Sequence, residues 1–300
     1  MKKILYIPIL FFAFFFGFIS CATDDTSAQG QNDNPSEIPQ NLSAELKMNV
    51  SYGSNPQQVY DLYLPAGRSK EKTKVIVLVH GGGWIEGDKA GMNNFIQLIQ
   101  ENHPDHAIVN MNYVLAKVPN TPAFPNQILD IGSVIDQISA QSEGLQVKDQ
   151  FGLIGVSAGA HLSLVYDYAY DLYDKVKFVA DIVGPSDFTD PFYANDPEFN
   201  ARIDFLVDEN AYPVNTDYAT VLSPAKIVSL KSSPTIMFYG NIDPLVPLTN
   251  GQTLNDALTA KGISHSFTIY DGGHGNWDNV AYVDLQQQLS AFINTNLKID

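Results

Sequence analysis

The chain has 300 residues, of which 45% are apolar and 17% are charged, and it contains 21 glycines and 17 prolines. This is the composition of a globular protein, and the length suffices for one large α/β domain with a buried core. The formal net charge of −16 argues against a nucleic-acid partner, because phosphate groups would repel the chain, and it also disfavours acidic substrates.

Residues 1–20 predict an export signal, because two lysines precede an apolar run over residues 4–19. The only cysteine of the chain follows, in the sequence Phe18-Ile19-Ser20-Cys21. This sequence resembles a bacterial lipobox, although leucine is usual where Phe18 stands. The resemblance implies a lipid on Cys21, and hence a membrane-anchored lipoprotein of the bacterial cell envelope, at the outer membrane or cell surface. Secretion without a lipid is the alternative, with Cys21 removed or left as a free thiol.

Residues 21–44 are polar and contain few bulky apolar side chains. Such a segment cannot bury enough surface to fold, so it predicts a flexible tether. The predicted catalytic domain covers residues 45–300.

Apolar runs and helical patterns alternate along this domain, which predicts crossover units and a mostly parallel sheet flanked by helices. The run 74–80 is rich in β-branched residues, as in a strand buried on both faces. The other predicted strands cover residues 59–65, 106–114, 151–154, 177–183, 234–240 and 264–270, and the predicted helices cover 92–100, 127–138, 158–168, 248–260 and 280–297.

An aromatic-rich insert at residues 185–222 interrupts this alternation. We expect a long loop without regular structure here, and such loops inside compact domains are usually functional. The aromatic side chains indicate a cap or a wall of a substrate site. An insert that packs only on its own domain is the alternative.

A G-x-S-x-G pattern, Gly155 to Gly159, lies where a predicted strand ends and a helix begins. A reactive serine on a strained turn needs this pattern, because the neighbouring backbone passes too close for Cβ atoms. Ser157 is therefore the candidate nucleophile.

Three consecutive glycines, Gly81 to Gly83, follow the predicted strand 74–80. Their amides can point at a carbonyl oxygen and stabilise the negative charge that develops during attack. The spacing of a phosphate-binding loop, G-x-x-x-x-G-K-[ST], is absent from this segment.

Serine needs a base to accept its proton, and the base needs a group that orients it. Of the six histidines, we expect His274 to be this base, because it follows the strand 264–270 between glycines and so lies at the carboxyl edge of the sheet. We expect the other five histidines to have other surroundings. His80 should support the glycine loop, and His161 should point into the packing of its helix. His265 should lie at the opposite end of the sheet, and His103 and His106 in an exposed turn.

Asp243 is the expected acid, because it follows the strand 234–240 at the same edge of the sheet. Asp271 is the second choice, although it is close to His274 in sequence. Asp187 and Asp190 are further alternatives.

The segments HGGGW, GVSAG, GNIDPLVP and GGHG resemble the α/β-hydrolase family and its lipase and esterase branch, over residues 55–298. Trp84 and the following EGDK are similar to carboxylesterases related to kynurenine formamidases and to polysaccharide-side-chain (acetyl and feruloyl) esterases. The resemblance implies Ser157 as nucleophile, His274 as base and acid, and Asp243 as its orienting group. It also implies an oxyanion hole from the amides of Gly82, Gly83 and Ala158, with no cofactor and no metal.

The expected substrates are small-molecule or glycan-linked esters with short acyl or aryl groups. Trp84, Tyr113 and Trp277 are the candidate substrate contacts, since aromatic side chains can stack on sugar or phenolic rings or fill a pocket wall. Two alternatives stay open: an exopeptidase or amidase with the same triad, and a non-catalytic surface-binding lipoprotein on this fold.

Overall fold

The computed structural model describes residues 42–117 and 119–299, and within them eight strands form one sheet in the order β1-β2-β4-β3-β5-β6-β7-β8. The pairs β1–β2 and β2–β4 are antiparallel, and all other neighbouring pairs are parallel, so the prediction of a mostly parallel sheet is confirmed. The strands are β1 Glu45–Ser51, β2 Val59–Leu64, β3 Val75–Val79, β4 Ala107–Met111, β5 Phe151–Val156, β6 Val176–Ile182, β7 Thr235–Gly240 and β8 His265–Tyr270.

Helices follow most of the parallel strands, and the five predicted helices are present with their ends displaced by a few residues. The helix after β5 changes at Tyr166 into a π-helical turn that ends at Tyr170. The helices are α1 Asn93–Asn102, α2 Asn126–Ala140, α3 Ser142–Leu145, α4 Ala158–Val165, α5 Pro191–Ala194, α6 Pro197–Leu206, α7 Tyr218–Val221, α8 Pro224–Ile227, α9 Leu248–Lys261 and α10 Asn279–Asn296, with 3₁₀ turns at Lys89–Met92 and Glu209–Ala211.

The sheet separates two apolar layers, and successive side chains of β3 point alternately into one layer and the other. Val75, Val77 and Val79 point to the layer that contains α2, α4 and α9, whereas Ile76 and Leu78 point to the layer with α1 and α10. All five side chains are fully buried, which confirms the prediction that this strand is covered on both faces.

The edge strand β1 was not predicted from the sequence. Its side chains are mostly exposed, including Leu46 and Met48, so no alternation of buried and exposed residues marks it. Pairing with β2 defines this strand, and that pairing is a tertiary contact.

The insert at residues 185–222 is helical rather than a loop without regular structure, since it contains α5, α6 and α7. Backbone hydrogen bonds attach it to the rest of the domain: the amides of Ala123 and Phe124 donate to the carbonyl of Leu206 at 2.7 and 2.9 Å. The side chain of His161 on α4 also lies 2.8 Å from the carbonyl of Leu222. These contacts hold the insert over the carboxyl edge of the sheet.

His103 and His106 do not lie in an exposed turn, so that prediction is wrong. Both are buried under α10, where Nε2 of His103 lies 2.9 Å from Oγ of Ser290 and Nε2 of His106 lies 2.9 Å from the carbonyl of Leu297. Burial, with a smaller contribution from the nearby His106, lowers the pKa of His103 to about 4.

The predicted export signal 1–20, Cys21 and most of the tether 21–44 lie outside the described residues. Among the residues that are described, no helix combines the length and apolar character needed to cross a bilayer.

Candidate active site

Ser157 occupies the sharp turn between β5 and α4, with a positive φ of 53°. Residues other than glycine rarely adopt this backbone conformation, because it costs them about 1–3 kcal/mol. The flanking glycines make the turn possible: a Cβ at Gly155 would lie 2.4 Å from Cα of Ala160, and one at Gly159 would lie 2.2 Å from the carbonyl of Val79. The strain and the close packing together hold the hydroxyl of Ser157 at the carboxyl edge of the sheet.

His274 and Asp243 extend from this hydroxyl as a continuous hydrogen-bonded chain. Nε2 of His274 lies 2.8 Å from Oγ of Ser157, and Nδ1 of His274 lies 2.7 Å from Oδ2 of Asp243. The three residues follow β5, β7 and β8, which brings together groups that are far apart in sequence. This arrangement can transfer a proton from the serine to the imidazole while the carboxylate keeps the ring oriented.

The surroundings of Asp243 keep its carboxyl group ionised. Burial alone would raise its pKa, but hydrogen bonds from His274 and from the amides of Val246 and Leu245 lower the pKa below its usual value. Those two amides donate to Oδ1 at 3.0 and 2.8 Å, which leaves Oδ2 for His274.

The alternative acids have other partners. Asp271 is exposed and accepts a hydrogen bond from Nδ2 of Asn241 at 3.0 Å. Asp187 forms an ion pair with Lys226 at 3.0 Å, and Asp190 accepts from the hydroxyl of Thr249. Asp243 is therefore the acid that the structure brings to His274.

The glycine loop presents backbone amides next to Ser157. Among the described residues, no group accepts a hydrogen bond from the amides of Gly82, Gly83 or Ala158, and all three residues line the same cleft as Ser157. Gly82 has a φ of +124°, and a Cβ there would lie 2.0 Å from the carbonyl of Glu86. These amides are available to bind an oxyanion formed at Ser157.

A buried ion pair supports the end of this loop, and it was not predicted from the sequence. Nζ of Lys89 lies 2.7 Å from Oδ2 of Asp61 on β2, and both side chains are buried. Asn110 donates to the carbonyl of Lys89 at 2.8 Å, and the amide of Lys89 donates to Oδ1 of Asn112 at 2.6 Å. The pattern GDK was visible in the sequence, but its partners come from other strands.

Two of the three predicted aromatic substrate contacts do not reach the cleft, so this part of the prediction is corrected. Tyr113 is fully buried, stacks on His80 with ring centroids 4.3 Å apart, and donates to the carbonyl of His80 at 3.0 Å. Trp277 packs on Tyr270, and its Nε1 donates to the carbonyl of Gly273 at 3.1 Å. Tyr113 therefore positions the glycine loop, and Trp277 positions the loop that carries His274.

Trp84, in contrast, lines the cleft, although only 6% of it is exposed. Its ring contacts Phe124, His161 and Phe188, with centroid distances of 5.4–5.9 Å. Burial lowers the pKa of His161 to about 4, so this histidine is neutral and acts as part of the apolar packing. His161 therefore packs within the helix layer, as predicted.

The cleft has a volume of about 660 Å³, which suits a small-molecule ligand. The glycine loop, Ser157 and the segment directly after Asp243 line it. The insert forms one side through Phe192, Tyr193, Asp196, Phe199 and Arg202. The insert thus contributes a wall of the cleft, as one of the two interpretations of its aromatic residues predicted.

No cluster of three or more histidine, cysteine or acidic side chains in the described part of the chain is arranged to hold a metal ion.

Comparison with known proteins finds a family model, described as BD-FAE, that matches residues 60–258. Esterase LipC of Mycobacterium tuberculosis is 23% identical over 249 residues, covering 74% of this chain and 60% of that protein. Isoprenylcysteine alpha-carbonyl methylesterase ICME of Arabidopsis thaliana is 26% identical over 269 residues, covering 77% of this chain and 56% of that protein. The aligned part of the chain thus spans less than two thirds of the length of these curated relatives.

Solved structures share the fold. A truncated carbohydrate esterase from gut microbiota superposes with a TM-score of 0.66 at 19% identity, covering 84% of this chain and 97% of that one. The carboxylesterase Cest-2923 of Lactobacillus plantarum WCFS1 superposes with a TM-score of 0.69 at 16% identity, covering 86% and 99%.

Proposed function

We propose that this chain, which belongs to the BD-FAE family, is a serine carboxylesterase that acts through Ser157, His274 and Asp243. The expectation of an α/β-hydrolase fold is confirmed, because solved structures that superpose on nearly the whole domain are esterases of this fold. The observation that carries the proposal is the hydrogen-bonded chain from Ser157 through His274 to Asp243, next to unpaired amides in a ligand-sized cleft.

In the first half of the reaction, Oγ of Ser157 attacks the ester carbonyl and its proton passes to Nε2 of His274. The carbonyl oxygen becomes negative and accepts hydrogen bonds from the amides of Gly82, Gly83 and Ala158. His274 then gives the proton to the departing alcohol oxygen, and an acyl group stays on Ser157.

In the second half, a water molecule attacks the acyl group while His274 accepts its proton. The same amides bind the second oxyanion, and the tetrahedral intermediate releases the acid and restores the hydroxyl of Ser157. Asp243 stays ionised throughout and stabilises the imidazolium form of His274. The chemistry requires neither a metal nor a cofactor.

We further propose that the substrates are esters with short acyl or aryl groups, such as those attached to carbohydrates. The cleft volume and its aromatic wall support this substrate class, since such walls bind planar and short apolar groups. The name of one structural neighbour points the same way, since the gut-microbiota protein is called a carbohydrate esterase.

Hydrolysis of 4-nitrophenyl esters from acetate to palmitate, with Ser157→Ala alongside, tests the activity. We expect highest activity on short chains and a loss on the order of a millionfold in the variant. Activity retained by Ser157→Ala would overturn the mechanism. Folded protein without activity on any ester, and without labelling by a fluorophosphonate, would favour the non-catalytic alternative, whereas faster cleavage of aminoacyl amides would favour the peptidase alternative.

Envelope attachment through Cys21 is proposed separately, on the basis of residues 1–21. Expression with an alkyne fatty acid should label the full chain, and Cys21→Ala should abolish the label and release the protein from the membrane fraction. Equal membrane association of both proteins would contradict the lipid anchor.

A further inference from the structure

We propose that Arg202 binds a carboxylate on the substrate, so that the enzyme prefers esters whose acyl or alcohol part is anionic. This inference rests on the proposed esterase function and defines the substrate class of the same cleft. It depends on where the two arginines of the chain lie and on what each of them contacts.

Arg68, the first of the two, has a structural role. It is buried, and its guanidinium donates to the carbonyls of Leu145 and Ser43 at 3.1 and 2.6 Å and to the carboxylate of Glu45 at 3.4 Å. Its donors are therefore used within the domain.

Arg202, the second, lies on α6 and lines the cleft that contains Ser157. Its guanidinium has no hydrogen bond and no carboxylate within 4 Å in the described part of the chain. Phe199 is three residues earlier and lines the same cleft, so one face of α6 presents an aromatic ring and a guanidinium to a ligand. The buried Ile203 and Leu206 lie four and seven residues after Phe199, on the same stripe of α6, and their packing holds the helix against the domain with Arg202 at the edge of that stripe.

The chemistry of the guanidinium selects the ligand. Arginine is always charged, and its planar set of donors matches the two oxygens of a carboxylate. Two acidic residues, Glu86 and Asp196, also line the cleft, and like Arg202 they are exposed to water. Asp196 already accepts a hydrogen bond from the amide of Glu198 at 2.9 Å, whereas Arg202 has unused donors.

The charge of the whole chain acts against this preference at long range, since a net charge of −16 slows the approach of anions. Arg202 is itself exposed, so water and salt weaken its effect at a distance, and it acts only at contact distance on a ligand that is bound in the cleft. We therefore expect the preference to appear in the ratio of specificity constants between matched anionic and neutral esters.

The test compares two pairs of esters, one for each possible position of the carboxylate. Mono-4-nitrophenyl glutarate against 4-nitrophenyl pentanoate places it on the acyl side, and acetylated glucuronic acid against acetylated glucose places it on the alcohol side. For the pair that matches the site, kcat/KM should favour the anionic ester, and Arg202→Gln should lower this ratio about tenfold or more. Arg202→Lys should lower it less, and Lys261→Gln, which removes an exposed positive charge on α9, should leave it unchanged.

The inference would be overturned if the ratio of kcat/KM between the anionic and the neutral ester were the same in the wild type and Arg202→Gln for both pairs. It would also be overturned if the wild type preferred the neutral ester in both pairs. Either result would leave the esterase function intact. If no ester is hydrolysed, the proposed function fails, and calorimetry then tests Arg202 by itself. Binding of glutarate to the Ser157→Ala protein should weaken about tenfold or more when Arg202→Gln is added. Equal affinity in the two proteins would refute the role of Arg202.

Discussion

The carboxyl group of Asp181 on β6 should keep its proton in the folded protein up to about pH 7. Oη of Tyr239 lies 2.7 Å from Oδ2 of Asp181 and 2.5 Å from the carbonyl of Gly184, yet a hydroxyl has one proton to donate. If that proton goes to the carbonyl, Asp181 must donate its own proton to Tyr239. Burial raises the pKa of Asp181 to about 7, and this shift is opposed by the hydrogen bond from the amide of Gly184 and by the one that Tyr239 donates when Asp181 is ionised.

The expected effect on stability follows from this pKa. In the unfolded chain Asp181 loses its proton near pH 4, whereas in the folded protein it keeps the proton until about pH 7. The unfolded state therefore binds fewer protons between these values, so the free energy of unfolding falls as pH rises. The stabilisation is complete below about pH 4, and about 4 kcal/mol of it is lost by pH 8.

Asp181→Asn should remove this pH dependence, because an amide keeps its donor at every pH and can give it to Tyr239. Urea denaturation followed by circular dichroism from pH 4.5 to 8.5 measures the free energy of unfolding of both proteins. The variant should gain stability relative to the wild type by about 3 kcal/mol across this range, because part of the total change already occurs below pH 4.5. Asp256→Asn, which removes an exposed charge on α9, serves as the control.

Parallel stability profiles for the wild type and Asp181→Asn would refute the reasoning, since they would mean that folding does not change the ionisation of Asp181. A variant that becomes relatively less stable at high pH would show that Asp181 is ionised and stabilised by its donors. The buried Asp167, whose pKa burial also raises to about 7, is present in both proteins and cancels from the difference.

Three further experiments test how the site is held. Asp243→Asn should lower kcat for ester hydrolysis about 10⁴-fold, whereas Asp271→Asn should leave it within a few-fold. The opposite result would show that Asp271, and not Asp243, orients His274. Lys89→Met should cost about 3–5 kcal/mol in urea denaturation, because it leaves the Asp61 carboxylate buried without its cation, and Asp61→Asn added to it should restore part of the loss. Gly82→Ala should lower kcat about 10²–10³-fold by displacing the glycine loop, and unchanged turnover would place the oxyanion elsewhere.

Local sequence signals were sufficient for the parts of this protein that local physics controls. The run at β3 predicted a strand buried on both faces, since each of its side chains must avoid water in a parallel sheet. Gly155 and Gly159 predicted the strained turn at Ser157, because the backbone contacts around them exclude a Cβ. His274 and Asp243 were predicted from their positions just after strands, since carboxyl ends of parallel strands meet at one edge.

Tertiary structure decided whatever depends on partners that are distant in the chain. β1 exists because it pairs with β2, the Lys89–Asp61 pair joins residues 28 positions apart, and Tyr113 is buried because His80 stacks on it. An aromatic residue near a motif has the same local pattern whether it faces a ligand or supports a loop. Only the packed structure separates Trp84, which lines the cleft, from Tyr113 and Trp277, because the surroundings that a side chain meets are a property of the whole fold and not of the neighbouring residues.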